Sequence, residues 1–129
     1  MDPVTAALVT GWTSICGGVL SGVWLGLWFH RKSWLGGYTA LRRRLVRLAH
    51  IAFFGIGTLN LLFALTVRAL GLESPILQVA TLGFAVAAVA MPATCFLVAW
   101  QPRHRHLFAI PVTALVTAVA AMLIAWGAT

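Results

Sequence analysis

The sequence predicts an all-α integral membrane protein: four transmembrane helices in an antiparallel bundle, with the N- and C-termini outside. Three observations carry this. First, 61% of the 129 residues are hydrophobic and only 9% are charged, more apolar surface than a soluble domain of this length can cover. Second, the apolar residues fall into four long runs, each near the roughly 20 residues that a helix needs to cross hydrocarbon at a rise of ~1.5 Å. Third, the basic residues gather in two short stretches between the runs. Arg31, Lys32, Arg42, Arg43, Arg44 and Arg47 form one, and Arg103 and Arg105 the other. The positive-inside rule places both on the cytoplasmic side, and a bacterial inner membrane is the expected location.

The whole chain, residues 1–129, reads as a single membrane domain with helices at about 4–29, 45–70, 75–100 and 107–126. The first apolar run is preceded by Asp2 and by no Lys or Arg. It lacks the basic leader of a secretory signal and reads as a retained helix. Its end is marked by His30-Arg31-Lys32. In the loop that follows, Gly36-Gly37 signals a turn, and Trp34 and Tyr38 suit the interfacial aromatic belt. Arg42-Arg43-Arg44 then opens the second helix. Gly71 suits a left-handed C-terminal cap, and Ser74-Pro75 reads as N-cap and first residue of the third helix. Pro92 removes one backbone hydrogen bond inside that helix and frees the carbonyl of Ala88. Gln101 to His106 forms the second basic loop, and the fourth helix follows.

The net charge of +7 does not point to nucleic acid, because orientation across a membrane already accounts for it. Anionic lipid head groups are the expected partners of Arg31, Lys32, Arg42, Arg43, Arg44, Arg47, Arg103 and Arg105, and bound lipids are expected. Cys16 and Cys95 lie in different spans at different depths, too far apart for a disulfide.

Two constellations stand out. In the first helix Thr10, Ser14, Gly18, Gly22 and Gly26 recur every four residues, a small-residue stripe along which a second helix backbone can approach closely. It serves packing within the bundle or docking onto a partner. A weaker stripe, Ala114, Ala118, Ala121 and Ala125, lies on the fourth helix. In the second helix His50, Gly57, Asn60, Ala64 and Arg68 share one broad face at ~100° per residue. Polar groups in lipid are costly unless they face protein or water, so this face should point inward or toward a partner.

His50 lies just inside the basic interface. As a contact residue it faces head groups or its neighbours. As a ligand it would hold haem iron or the magnesium of a chlorophyll or bacteriochlorophyll, with Gly57 leaving room for the macrocycle and His106 or His104 as second ligand. No Asp or Glu falls inside a span, so no carboxylate serves proton coupling at mid-membrane. No metal-binding Cys/His pair, nucleophilic triad or phosphate loop occurs, and enzymatic activity is not expected.

The sequence therefore supports a small, non-catalytic accessory or structural subunit that stabilises or assembles a larger membrane complex with other integral membrane subunits. By analogy that complex is respiratory or photosynthetic. The alternative is a haem- or chlorophyll-binding electron-transfer or pigment protein using His50. A third reading is a small anion channel or transporter lined by Asn60, Arg68 and Thr94.

Overall fold

The computed structural model describes residues 1–128. Among them the chain is helical, with no strand. Four helices are long and apolar enough to cross a membrane, as expected of an integral membrane protein: α1 (Pro3–Phe29), α2 (Leu41–Leu70), α3 (Ile76–Trp100) and α4 (Ala109–Gly127). Short 3-10 segments, Trp34–Gly36 and Pro102–Phe108, fill the first and third joins.

Helix boundaries follow from local chemistry. Asp2 caps α1, its carboxylate accepting the backbone N–H groups of Val4 and Thr5 at 3.2 and 3.0 Å, and Pro3 occupies the first helical position. This is the favoured pairing of a carboxylate cap with a residue that has no N–H to satisfy. The Thr5 hydroxyl also donates to Asp2, at 2.7 Å. That bond, with the two backbone N–H groups, holds the carboxyl below the ordinary aspartate range.

α2 begins a turn earlier than its apolar pattern indicates, at Leu41, because arginine is a good helix former and the charge run is helix rather than loop. Its end is the expected glycine cap. Gly71 takes φ +60°, and the Leu72 N–H reaches back to the Val67 carbonyl at 3.0 Å. Leu72 is buried beside Val67, completing a Schellman arrangement. α3 starts at Ile76, one residue later than expected. Ser74 makes no side-chain cap there. Instead its carbonyl accepts the Leu77 N–H at 3.1 Å, a tight first turn. α4 starts at Ala109, two residues later than expected, which places Pro111 in its first turn, where the missing N–H costs no helical bond. Pro92 lies buried inside an unbroken α3.

The helices are not equally embedded. α1, α2 and α3 pack on one another, whereas α4 packs chiefly on α3. The main core draws on all four helices. Ala7, Phe63, Ala64, Phe84, Ala118 and Ala121 belong to it, toward the end away from the basic loops. A second cluster, Leu25, Leu45, Val46, Val98 and Ala99, closes the basic end. The outward faces are studded with exposed Leu, Val, Ile and Trp, the surface that lipid accommodates.

Candidate functional site

The polar groups concentrate at the basic end and along the α1–α2 contact. The small residues of α1 are sockets for the large residues of α2. A Cβ added at Gly18 would lie 2.7 Å from the Phe54 ring, and one at Gly22 would lie 2.9 Å from the imidazole of His50. Gly11, outside the four-residue stripe, meets the Leu61 side chain at 2.6 Å and the Gly57 carbonyl at 2.9 Å. Ser14 donates its hydroxyl to the Phe53 carbonyl at 2.8 Å. The stripe through Ser14, Gly18 and Gly22 therefore packs within the chain. Gly26 does not take part, for among the described residues nothing lies within 4 Å of the Cβ it lacks.

His50 sits in this contact. Its Nδ1 is 2.9 Å from the Ser21 hydroxyl, and its ring meets Phe54 edge-on at 5.3 Å. Gly57, expected to leave space for a macrocycle, is closed instead. The Gly11 carbonyl and Ile15 both come within 3.0 Å of its missing Cβ. The second expected ligand is also elsewhere. His106 lies in the 3-10 segment that packs on α3 and α4, its ring 6.2 Å from that of His104, while His50 faces α1. Among the described residues the ring contact of His50 is with Phe54, and those of His104 and His106 are with each other. The inward face of α2 otherwise lies as its periodicity indicates, with Gly57, Asn60 and Ala64 buried and Arg68 exposed at the helix end. Asn60 is fully buried. Its amide donates to the Ile56 carbonyl at 2.9 Å and across to the Phe84 carbonyl of α3 at 3.4 Å, and its Oδ1 has no partner among the described residues.

The arginines divide in a way that their sequence positions do not reveal. Arg43, expected at the head groups, is only 1% exposed. It lies beneath the end of α1, where Nη2 donates to the Phe29 carbonyl and Nη1 to the carbonyls of Arg31 and Lys32 at 3.1 and 3.5 Å. Its guanidinium carbon stands 3.9 Å from the Tyr38 ring centre and 4.2 Å from that of Phe29, well inside cation–π range. Trp34 and Tyr38, expected in the interfacial belt, thus help to enclose a buried cation. The reason is the unsatisfied carbonyls at a helix C-terminus, which carry partial negative charge and attract cations. Arg42 repeats the device on another helix, its Nε donating to the Ala99 carbonyl near the end of α3 at 3.0 Å. Adjacent arginines at the start of α2 therefore cap the ends of α1 and α3. Counting orphan carbonyls at the predicted helix ends would have flagged the need for donors there, but not which arginine answers it.

Arg31, Lys32, Arg44, Arg47, Arg103 and Arg105 are exposed, Arg31 lying over the Trp28 ring at 4.6 Å. Among the described residues no cluster of three or more His, Cys, Asp or Glu could hold a metal. Cys16 and Cys95 are free thiols, one exposed and one buried.

One groove opens sideways between α1 and α3, with a volume near 550 Å³. Thr10, Thr13 and Ser14 form one wall, Ala88, Pro92 and Ala93 the other, and Phe53 of α2 also lines it. Comparison with family models, curated proteins and solved structures finds no match.

Proposed function

We propose that this chain is a small, non-catalytic subunit that stabilises or assembles a larger membrane complex, and that its partners are other integral membrane proteins. The observation that carries this is the groove between α1 and α3. It lies within the spans, opens toward the lipid and combines small and hydroxyl residues (Thr10, Thr13, Ser14, Ala88, Ala93) with the apolar side chains of Val9, Phe53, Val89 and Phe96. Membrane helices associate on such surfaces, since lipid supplies no hydrophobic drive and close backbone approach must replace it.

The topology belongs to the same reading: an antiparallel arrangement, both basic loops cytoplasmic and both termini outside, in a bacterial inner membrane. The α1–α2 pairs support it. Gly11 meets residues 57 and 61, while Gly22 meets residue 50, so numbering rises along one helix as it falls along the other. The Arg42 bond to Ala99 supports a common side for the basic loops, because it ties the start of α2 to the residue just before the second loop.

The test is solubilisation of native membranes in mild detergent, followed by sizing and mass spectrometry of the co-migrating proteins. The expected result is a particle well above the mass of this chain that Ala93→Trp, which fills the groove, causes to dissociate. Migration alone as a monomer or small homo-oligomer overturns the reading.

A further inference from the structure

We propose that the outer face of α2 holds one anionic phospholipid, its phosphate between Arg44 and Arg47 and an acyl chain along Ile51, Gly55 and Leu59. This proposal is independent of the subunit reading.

Two surface depressions on α2 carry it. The first, near 240 Å³, is lined by Arg44, Arg47, Leu48 and Ile51. The second, near 420 Å³, continues through Ile51 to Phe54, Gly55 and Leu59. Ile51 lines both, so the two adjoin as one shallow channel with arginines at one end and a mainly apolar lining, with His50 and Thr58, beyond. The residues recur at three- and four-residue steps, which stacks them on one side of the helix.

Arg42 and Arg43 donate to helix-end carbonyls, whereas among the described residues Arg47 makes only a cation–π approach to the Phe29 ring at 5.8 Å, which leaves the N–H groups of Arg44 and Arg47 for a ligand. Both are exposed, and the chain has only two acidic residues, Asp2 and Glu73, neither in this stretch. A pair of arginines facing an interface without a carboxylate calls for an outside anion, and guanidinium groups match phosphate oxygens closely.

The apolar part fits a chain rather than a compact ligand. Gly55 leaves a notch in the channel floor, with nothing among the described residues within 4 Å of its missing Cβ. One wall is set by His50, which the Ser21 hydroxyl holds at 2.9 Å. The length fits as well. From Arg44 to Leu59 the helix rises ~22 Å, and one leaflet with its head-group region is about 20–22 Å deep. A free phosphate would use only the first few ångströms of this channel, so a lipid is the occupant.

The experiment is native mass spectrometry of the full chain in detergent, titrated with phosphatidylglycerol or with phosphatidylcholine of identical chains. The expected result is one tightly held phosphatidylglycerol and no comparable phosphatidylcholine. Arg44→Ala with Arg47→Ala should weaken that first site about thirtyfold, at the usual contribution of each basic residue near an anionic surface. Arg103→Ala with Arg105→Ala removes the same charge elsewhere and should change it less than threefold. Gly55→Phe keeps every charge, points away from the protein and should weaken binding at least fivefold by filling the chain seat. Equal binding of both lipids, equal loss in the two double variants, or unchanged binding in Gly55→Phe overturns the proposal. Inorganic phosphate displacing the lipid at millimolar concentration would show an anion site without a lipid seat and would also overturn it. Thermal unfolding of each variant in detergent identifies any that fails to fold, and Gly55→Phe, at an open surface position, tests the site independently of the arginines.

Discussion

The α1–α2 and α3–α4 contacts both depend on glycine, but in different ways. Between α1 and α2 the glycines toward the basic end are sockets for bulky side chains, Gly18 for Phe54 and Gly22 for His50, while Gly11 and Gly57 bring backbone close to backbone farther along. A hydroxyl-to-carbonyl bond from Ser14 to Phe53 crosses the same contact. Between α3 and α4 small residues meet small residues. A Cβ on Gly83 would stand 2.7 Å from the Ala114 carbonyl and 2.9 Å from the Ala118 methyl, and Ala118, Ala121 and Ala125 are buried alongside. A ring can turn aside, whereas a backbone carbonyl cannot move without its helix. The Gly18–Gly22 part of the first contact is specified by shape and is adjustable. The second is specified by closeness and is not.

Alanine at each glycine breaks this comparison most directly. Gly83→Ala should cost the most, about 2–3 kcal/mol at the upper end of overpacking penalties, because it drives α4 off α3, its chief contact. Gly11→Ala should follow at about 2 kcal/mol, since the Gly57 carbonyl as well as Leu61 stands in its way. Gly18→Ala should cost about 1 kcal/mol, because Phe54 can shift. Reversible unfolding in mixed micelles reads this order, and a Gly18 variant worse than the Gly83 variant would invert the argument.

The buried arginine cap reaches a similar size. Arg43→Ala leaves carbonyls at the end of α1 unpaired and should cost about 2–3 kcal/mol, as expected for buried bonds to a charged donor. Arg42→Ala, at an exposed site with a single bond, should cost about 1 kcal/mol or less. Arg43→Lys should not restore stability, because an ammonium cannot reach several carbonyls from one planar fork. The same unfolding assay decides both points.

Asn60→Leu should cost no more than about 1 kcal/mol, the usual scale of an interhelical bond in a membrane protein. The change also removes the unpartnered Oδ1. Gly26→Ala should be neutral or stabilising by up to about 1 kcal/mol, which would confirm that the stripe's packing role ends at Gly22.

The smallest effect is the Asp2 cap. Its carboxyl is held below the ordinary range by the Thr5 hydroxyl first and by the Thr5 and Val4 N–H groups next. A lowered carboxyl contributes fully above its unfolded value and loses that contribution as pH falls through the folded one. Amide exchange at Val4 and Thr5 should therefore quicken, relative to the chemical rate, only on acidification below about pH 4. Asp2→Asn should remove that pH dependence.

The sequence made the four helices legible because lipid leaves the backbone few alternatives, and apolar runs of the right length announce themselves. Their ends were legible to within a turn where a proline, a glycine or a carboxylate marked them, as at Gly71. Asp2-Pro3 was an equally clear start signal that hydropathy alone passes over. The inward face of α2 was legible at Gly57, Asn60 and Ala64 because polar and small residues in a span must find protein. Arg43 was not legible as a buried residue. Charge beside a span is ordinarily solvated, and only the neighbouring helix end, with its unpaired carbonyls, makes burial favourable. Nor did spacing along α2 reveal that Gly57 is filled by α1, since the opposing Gly11 and Ile15 belong to another element.

The two arginine caps also differ in when they can form. Arg43 reaches partners 11 to 14 residues away, whereas Arg42 reaches one 57 residues away. Loop-closure entropy rises with that separation, and Ala99 is made long after α2. During synthesis the Arg43 latch can close the first hairpin while α3 is still unmade, and the Arg42 bond then secures α3 when it arrives. Neighbouring residues thus act as an early and a late fastener in one assembly sequence. Force measurements on ribosome-held chains of increasing length would read that order.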